Sequence, residues 1–275
     1  MKVENLPASR PQTGLSWADI VYEEPVEAGI TRFIAVYQCQ NASRIEPVRS
    51  ARLTDPDILD QFGHPLFAYA GGVSRVVGKV KAAGLIDVNF NTAIASKAYH
   101  RDPNRLAPHN LYTSTPELYG SVRNLAGIPP SVFTYSAQAP AGRAVGTIHL
   151  PFSQDSDVFW RYSSSRRAYL RWHGTVPHRL SDGSQVSARN VVVQVVKVVM
   201  TDITDVNGVH SPEVVATGTG KAYVFRGGKM IAGTWRRSSL KDITTFVDAR
   251  GNVIPLAPGN TWVELLPQTI PVTFS

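Results

Sequence analysis

The chain has 275 residues, 43% of them hydrophobic and 18% charged, with 28 Lys and Arg against 21 Asp and Glu for a net charge of +7. That composition excludes a disordered polymer and suffices for one large core or two modest ones. No run approaches the roughly eighteen apolar residues of a membrane span, and Met1-Lys2-Val3-Glu4-Asn5 lacks the apolar segment of a leader, so the chain reads as cytosolic or as trimmed of one.

In chain order, Ile20 to Glu23 and Ile30 to Gln40 read as strands, the second holding the single cysteine, Cys39, which is expected to be a buried structural thiol. A polar island, Glu46-Pro47-Val48-Arg49-Ser50-Ala51-Arg52, then runs into a helix-start signal. Asp55 is the expected N-cap, Pro56 takes the first helical position, and the helix should cover Pro56 to Phe62. Leu66 to Ala70 is a short strand, and Gly71-Gly72 leads into a helix over Val73 to Ala83 that should stop at Gly84. Strand, glycine pair and helix outline an anion-binding turn, although most such turns only reverse the chain. A second island, Ala107-Pro108-His109-Asn110-Leu111-Tyr112-Thr113-Ser114-Thr115, again precedes a helix, expected over Pro116 to Ala126.

Small residues with a proline and a glycine over Ser136 to Arg143 mark a boundary, giving domains of 1–140 and 141–275. Beyond it β-branched residues dominate, in Ala144 to Leu150, Val158 to Tyr162, Ala168 to Trp172 and Asn190 to Thr201. Hairpins are expected around Arg226-Gly227-Gly228-Lys229 and Asp248 to Asn252. Trp160, Trp172, Trp235 and Trp262 fall in these strands, where sheet packing is their expected role. The predicted class is α+β, a mixed α/β N-terminal domain followed by a mainly antiparallel β domain.

The islands carry the candidate chemistry. Arg49 and Arg52, with Ser50 between them, suit a phosphate or carboxylate, or an ion pair with Glu23, Glu24, Glu27 or Glu46. His109 can serve as acid, base or donor, with Asn110 and Tyr112 beside it. Glu27 and Arg32 bracket Gly29 at the mouth of a strand. Were Glu27 to meet His109, the pair would form a carboxylate–imidazole unit with the arginines stabilising negative charge. No nucleophile elbow, phosphate loop or zinc spacing is present, so neither metal nor cofactor is expected, and the scattered basic residues carry no nucleic-acid-binding signature.

Arg10-Pro11-Gln12-Thr13-Gly14-Leu15, Ala18-Asp19-Ile20-Val21-Tyr22-Glu23, Gly29-Ile30-Thr31-Arg32-Phe33, Pro47 to Arg52 and Ala107 to Thr113 resemble the YerB-like lipoproteins of Gram-positive bacteria, a family classed as a domain of unknown function. Pro177-His178, Ala188 to Gln194, Gly233-Thr234-Trp235 and Pro258 to Trp262 resemble that family's C-terminal domain. The resemblance implies an extracytoplasmic protein held at the membrane through a lipid anchor that precedes this chain; Cys39 does not match the anchoring cysteine. It implies no reaction. The expected function is therefore binding of an anionic envelope component, such as a phosphate-bearing glycan, a lipid-linked precursor or a wall peptide, by Glu27, Arg32, Arg49, Ser50, Arg52, His109, Asn110 and Tyr112. The alternatives are a phosphoester or acyl hydrolase or transferase using His109 and Glu27, and a scaffold for cell-wall enzymes.

Overall fold

Long β-branched runs form strands here because both of their faces are covered. The computed structural model describes residues 1–93, 95–122, 127–138, 141–205 and 207–275. Its strands are β1 (Lys2–Glu4), β2 (Ile20–Pro25), β3 (Thr31–Val36), β4 (Leu66–Tyr69), β5 (Ile86–Asn89), β6 (Tyr99–Arg101), β7 (Leu111–Thr113), β8 (Arg143–Ala144), β9 (Thr147–Pro151), β10 (Asp157–Ser163), β11 (Ala168–His173), β12 (Val176–Pro177), β13 (Ser187–Ala188), β14 (Asn190–Val196), β15 (Val198–Thr204), β16 (His210–Val214), β17 (Gly218–Arg226), β18 (Lys229–Arg237), β19 (Thr245–Asp248), β20 (Thr261–Pro267) and β21 (Thr273–Phe274). The α-helices are α1 (Thr54–Leu59), α2 (Ser74–Ala82) and α3 (Thr115–Gly120).

The chain is mainly β, with 42% of it in strands and 14% in helices. A regular α/β alternation in the N-terminal half is not what forms: β4, α2 and the parallel β5 make a strand–helix–strand unit, while α1 and α3 span six residues each. The end of the helix expected up to Ala126 lies outside the described residues.

A nine-stranded sheet runs β1-β3-β2-β20-β14-β17-β18-β19, with β8 also on β18, and a six-stranded sheet runs β12-β11-β10-β9-β21, with β13 on β11. Val21, Phe33, Val191, Val193 and Trp262 face the six-stranded sheet, where they meet Ile148, Val158 and Trp160. Their neighbours Ile20, Tyr22, Ile34, Val192 and Val263 face the other way, onto Ile58, Phe67, Val76 and Val80 of the helical side. A strand buried on both faces reads as a continuous apolar run, which is why Val191 to Val196 shows no alternation. Trp160, Trp235 and Trp262 are buried in these layers.

One sheet crosses the division near residue 140. β20 pairs in parallel with β2 from Ile20↔Thr261 to Glu23↔Glu264 and with β14 on its other side, so one sheet passes through both halves. A buried polar network lies at this seam. Arg171 Nη2 donates to both oxygens of Glu23 (2.8 and 2.6 Å), and its Nη1 donates to His173 Nε2 (2.8 Å) and His178 Nδ1 (2.7 Å). With its Nδ1 accepting, His178 donates from Nε2 to Gln12 Oε1 (2.8 Å).

The expected hairpin at Gly227-Gly228 forms, with Arg226↔Lys229 closing a two-residue turn in which both glycines have positive φ (57° and 74°). That is the turn whose twist suits the flanking strands. Asn190 to Thr201 is divided at Lys197: β14 stays in the large sheet, and β15 leaves it to pair with β16. Cys39 is exposed, contrary to expectation, because β3 stops at Val36 and the Asp19 carboxylate takes the N–H groups of Gln38 and Cys39 (2.7 and 2.9 Å), turning the chain outward.

Candidate functional site

The two polar islands run side by side. Ile45 and Thr113 exchange backbone hydrogen bonds (2.7 and 3.2 Å), and the Val48 N–H donates to the Leu111 carbonyl (2.8 Å). Neither helix start contributes open donors. Asp55 does not cap α1; its buried carboxylate accepts from Lys2 Nζ (2.7 Å) and the Arg52 N–H (2.6 Å). Ser114 caps α3 by accepting from the Glu117 N–H (3.2 Å). At the glycine pair, the Gly71 N–H is already taken by Asn89 Oδ1 (3.0 Å).

Glu4, a residue no sequence pattern singles out, organises the arginines. It is buried, with Oε2 accepting from Arg49 Nε (2.6 Å) and Oε1 from Arg32 Nε (3.2 Å). Burial pushes its carboxyl up, but Arg32 and Arg49 outweigh burial and hold it at about 2. Arg49 thus has its Nε pinned, whereas its two terminal nitrogens find no acceptor among the described residues and its side chain is 24% exposed. Arg32 gives Nη1 to the Ser50 carbonyl (3.3 Å), and the Ser50 hydroxyl has no partner among the described residues.

Arg52 is fully engaged instead. Nε and Nη2 donate to Glu27 Oε2 (2.9 and 2.6 Å), and Nη1 donates to the Ala51 carbonyl (2.9 Å). Ser211 of β16 donates to the other Glu27 oxygen. Burial raises the Glu27 carboxyl, and the Arg52 contacts reverse that and hold it below its ordinary value. Glu27 is therefore not the partner of His109: the tight turn at Glu27–Gly29, with Ala28 at φ 58°, hands it to Arg52. Arg52→Met should lower stability by about 2–3 kcal/mol, because Glu27 would keep its burial and lose its cation. Urea unfolding checks this, and a loss under about 0.5 kcal/mol would make the pair a surface contact.

His109 lies at the neighbouring cavity, about 720 Å³, whose charged lining is Arg10, Arg44, Arg105, Glu46 and Asp102. Burial holds its imidazole below 6.5; Glu4 opposes this, and Arg49, Arg105 and Arg32 add to it. The ring is consequently neutral near pH 7. Asn110 and Tyr112 do not join the Arg49 group. Asn110 Oδ1 accepts from Arg101 Nη1 (2.8 Å), and the Arg44 guanidinium lies 3.9 Å from the Tyr112 ring centroid. Arg44 and Arg105 escaped the sequence reading because nothing local to either marks it as cavity lining. Among the described residues no three His, Cys, Asp or Glu side chains gather into a set that could hold a metal ion.

Fold and site together define a mainly β protein of two stacked sheets, with a guanidinium fork fixed by a buried glutamate at one edge. The chain belongs to the DUF3048 family: residues 1–127 match "Protein of unknown function (DUF3048) N-terminal domain" and residues 148–263 match its C-terminal domain. It is similar to the Bacillus subtilis (strain 168) protein named "Putative lipoprotein YerB", with 26% identity over 281 residues, spanning 96% of this chain and 80% of that protein. It also superposes on the crystal structure of the YerB protein from Bacillus subtilis with a TM-score of 0.82 and 22% identity, over 99% of this chain and 92% of that one, a likeness of fold.

Proposed function

We propose that this chain is the extracytoplasmic part of a lipid-anchored envelope protein that binds an anionic envelope component at Arg49, Arg32 and Ser50, beside His109. The envelope address rests on the lipoprotein name of its relative. The binding role rests on one observation, the Arg49 guanidinium held by Nε to Glu4 while its terminal nitrogens find no acceptor among the described residues and its side chain is 24% exposed. A guanidinium oriented by a buried carboxylate has already lost the rotamer freedom that binding would otherwise cost, and its remaining fork matches a phosphate or carboxylate. Neutral His109 adds a polar group without competing charge.

The probe is a soluble phosphorylated disaccharide, titrated by calorimetry. Arg49→Gln should weaken its binding about tenfold or more, the worth of a charge-assisted hydrogen bond, and soften the salt dependence. Glu4 keeps Arg32 in that variant, so the fold should hold. Equal affinity of the two proteins would end this reading. Appearance of product during the titration, abolished by His109→Ala, would favour hydrolysis or transfer instead.

A further inference from the structure

Residues 141–275 carry 15 Lys and Arg against 9 Asp and Glu, and so hold six of the seven net positive charges. Among the described residues, Arg171 alone of these cations forms an ion pair, and that pair is internal. Exposed guanidiniums concentrate where β10 turns into β11. Arg166 and Arg167 occupy the exposed turn, closed by the pair Ser163↔Ala168. Arg189 Nη1 donates to the Arg167 carbonyl (2.9 Å), which brings a third guanidinium to the same place. Arg161, one step back along β10 on the outer face of the sheet, lies 4.4 Å from the Trp172 ring centroid and 5.7 Å from that of Phe159. Ser164 and Ser165 are exposed in the turn itself.

We infer that this end of the six-stranded sheet is a second contact surface, for a linear phosphate-bearing polymer that lies across the turn. Like charges gathered on a surface repel one another, and among the described residues none of these arginines has a carboxylate within ion-pair distance, so an external anion is the complement. Several forks spread over neighbouring strands, about 4.8 Å apart, fit charges repeated along a chain better than one isolated phosphate. Half-buried Trp172 and Phe159 hold the Arg161 guanidinium on this face by contact with their rings. The turn is exposed and polar, unlike the apolar centre that a stable protein interface needs.

The test measures binding of poly(glycerol phosphate) across a salt series. Arg166→Ser with Arg167→Asn removes two charges from exposed positions, and asparagine accepts the positive φ of Arg167 (51°). The double variant should bind about tenfold more weakly at low salt, with a log–log salt slope smaller by about 1.4, near 0.7 for each charge removed from a flexible polyanion contact. Arg166→Ser alone, at an ordinary backbone position, should show about half that slope change and keeps the test decisive if the pair fails to fold. Arg236→Ser, which removes an exposed cation from β18 of the nine-stranded sheet, should leave polymer binding unchanged, which separates this turn from general surface charge. Parent-like binding by both turn variants would overturn the inference. So would equal binding of neutral dextran, or binding to phosphatidylglycerol vesicles without binding to the soluble polymer.

Discussion

Arg171→Met is expected to lower the unfolding free energy by about 3–5 kcal/mol, the usual consequence of stripping the partner from a fully buried charge. Both Arg171 and Glu23 have fully buried side chains, and two hydrogen bonds of 2.8 and 2.6 Å join them. Removing the guanidinium leaves Glu23 beside Glu264, whose carboxyl is already pushed well up by burial and then by the Glu23 charge. Two carboxyl groups without a cation would have to take up protons or admit water. Since Glu23 lies on β2 and Arg171 on β11, the damage falls where the N-terminal strands meet the six-stranded sheet, and unfolding should stay cooperative. Urea denaturation of parent and variant measures the difference. A loss below about 1 kcal/mol would mean that packing of Phe33, Trp160 and Trp262 around the guanidinium, and not its charge, holds this region.

Two buried histidines should cost the protein stability as pH falls below 6.5. His173 and His178 both accept from Arg171 Nη1, so neither can be protonated while that arrangement lasts. Burial first, and the Arg171 charge next, hold both imidazoles far below the ordinary value of 6.5. In the unfolded chain they titrate near 6.5, so between the two values the unfolded state binds more protons. Their contribution is complete above about pH 6.5 and is lost as pH falls, by about 1.4 kcal/mol per unit for each ring. Going from pH 6.5 to 4.5 should remove about 5 kcal/mol of the two rings' own contribution. Glu264 and Glu24 work with the opposite sign: burial raises their carboxyls, which favours the fold at low pH, so they return part of the histidine loss between pH 6.5 and 4.5, while the buried Met1 amino group, lowered to about 5, adds to it. Chemical denaturation at pH 7.0 and 4.5 measures the slope. His173→Gln with His178→Asn, which keep acceptors for Arg171, should flatten most of it. A histidine double variant whose pH slope equals the parent's would refute the account.

Several features were legible because they are local. The Gly227-Gly228 hairpin follows from two glycines able to take positive φ, and the stop of α2 before Gly84 (φ 72°) has the same cause. The resemblance carried by the arginine and histidine islands led to the DUF3048 family that the matches define. Two errors were also local in origin. The apolar pattern continues past Val36 and so places Cys39 in β3, yet Asp19, distant in sequence, ends the strand there. Asp55-Pro56 has the form of a cap, yet Lys2 claims the aspartate.

The predicted site divided for a related reason. Arg49 and Arg52 look equivalent three residues apart, but Glu4 leaves the first with a free fork, and Glu27 with Ser211 consumes the second. Residue types and their spacing, by themselves, determined that the chain is rich in strand, where its tight turns fall and which basic residues sit in irregular segments, since these depend on backbone preference and charge within a few positions. Only the tertiary structure decided that both halves share one sheet, and which arginine is neutralised and which is open. Those outcomes depend on carboxylates that long-range pairing brings in from segments far away in sequence.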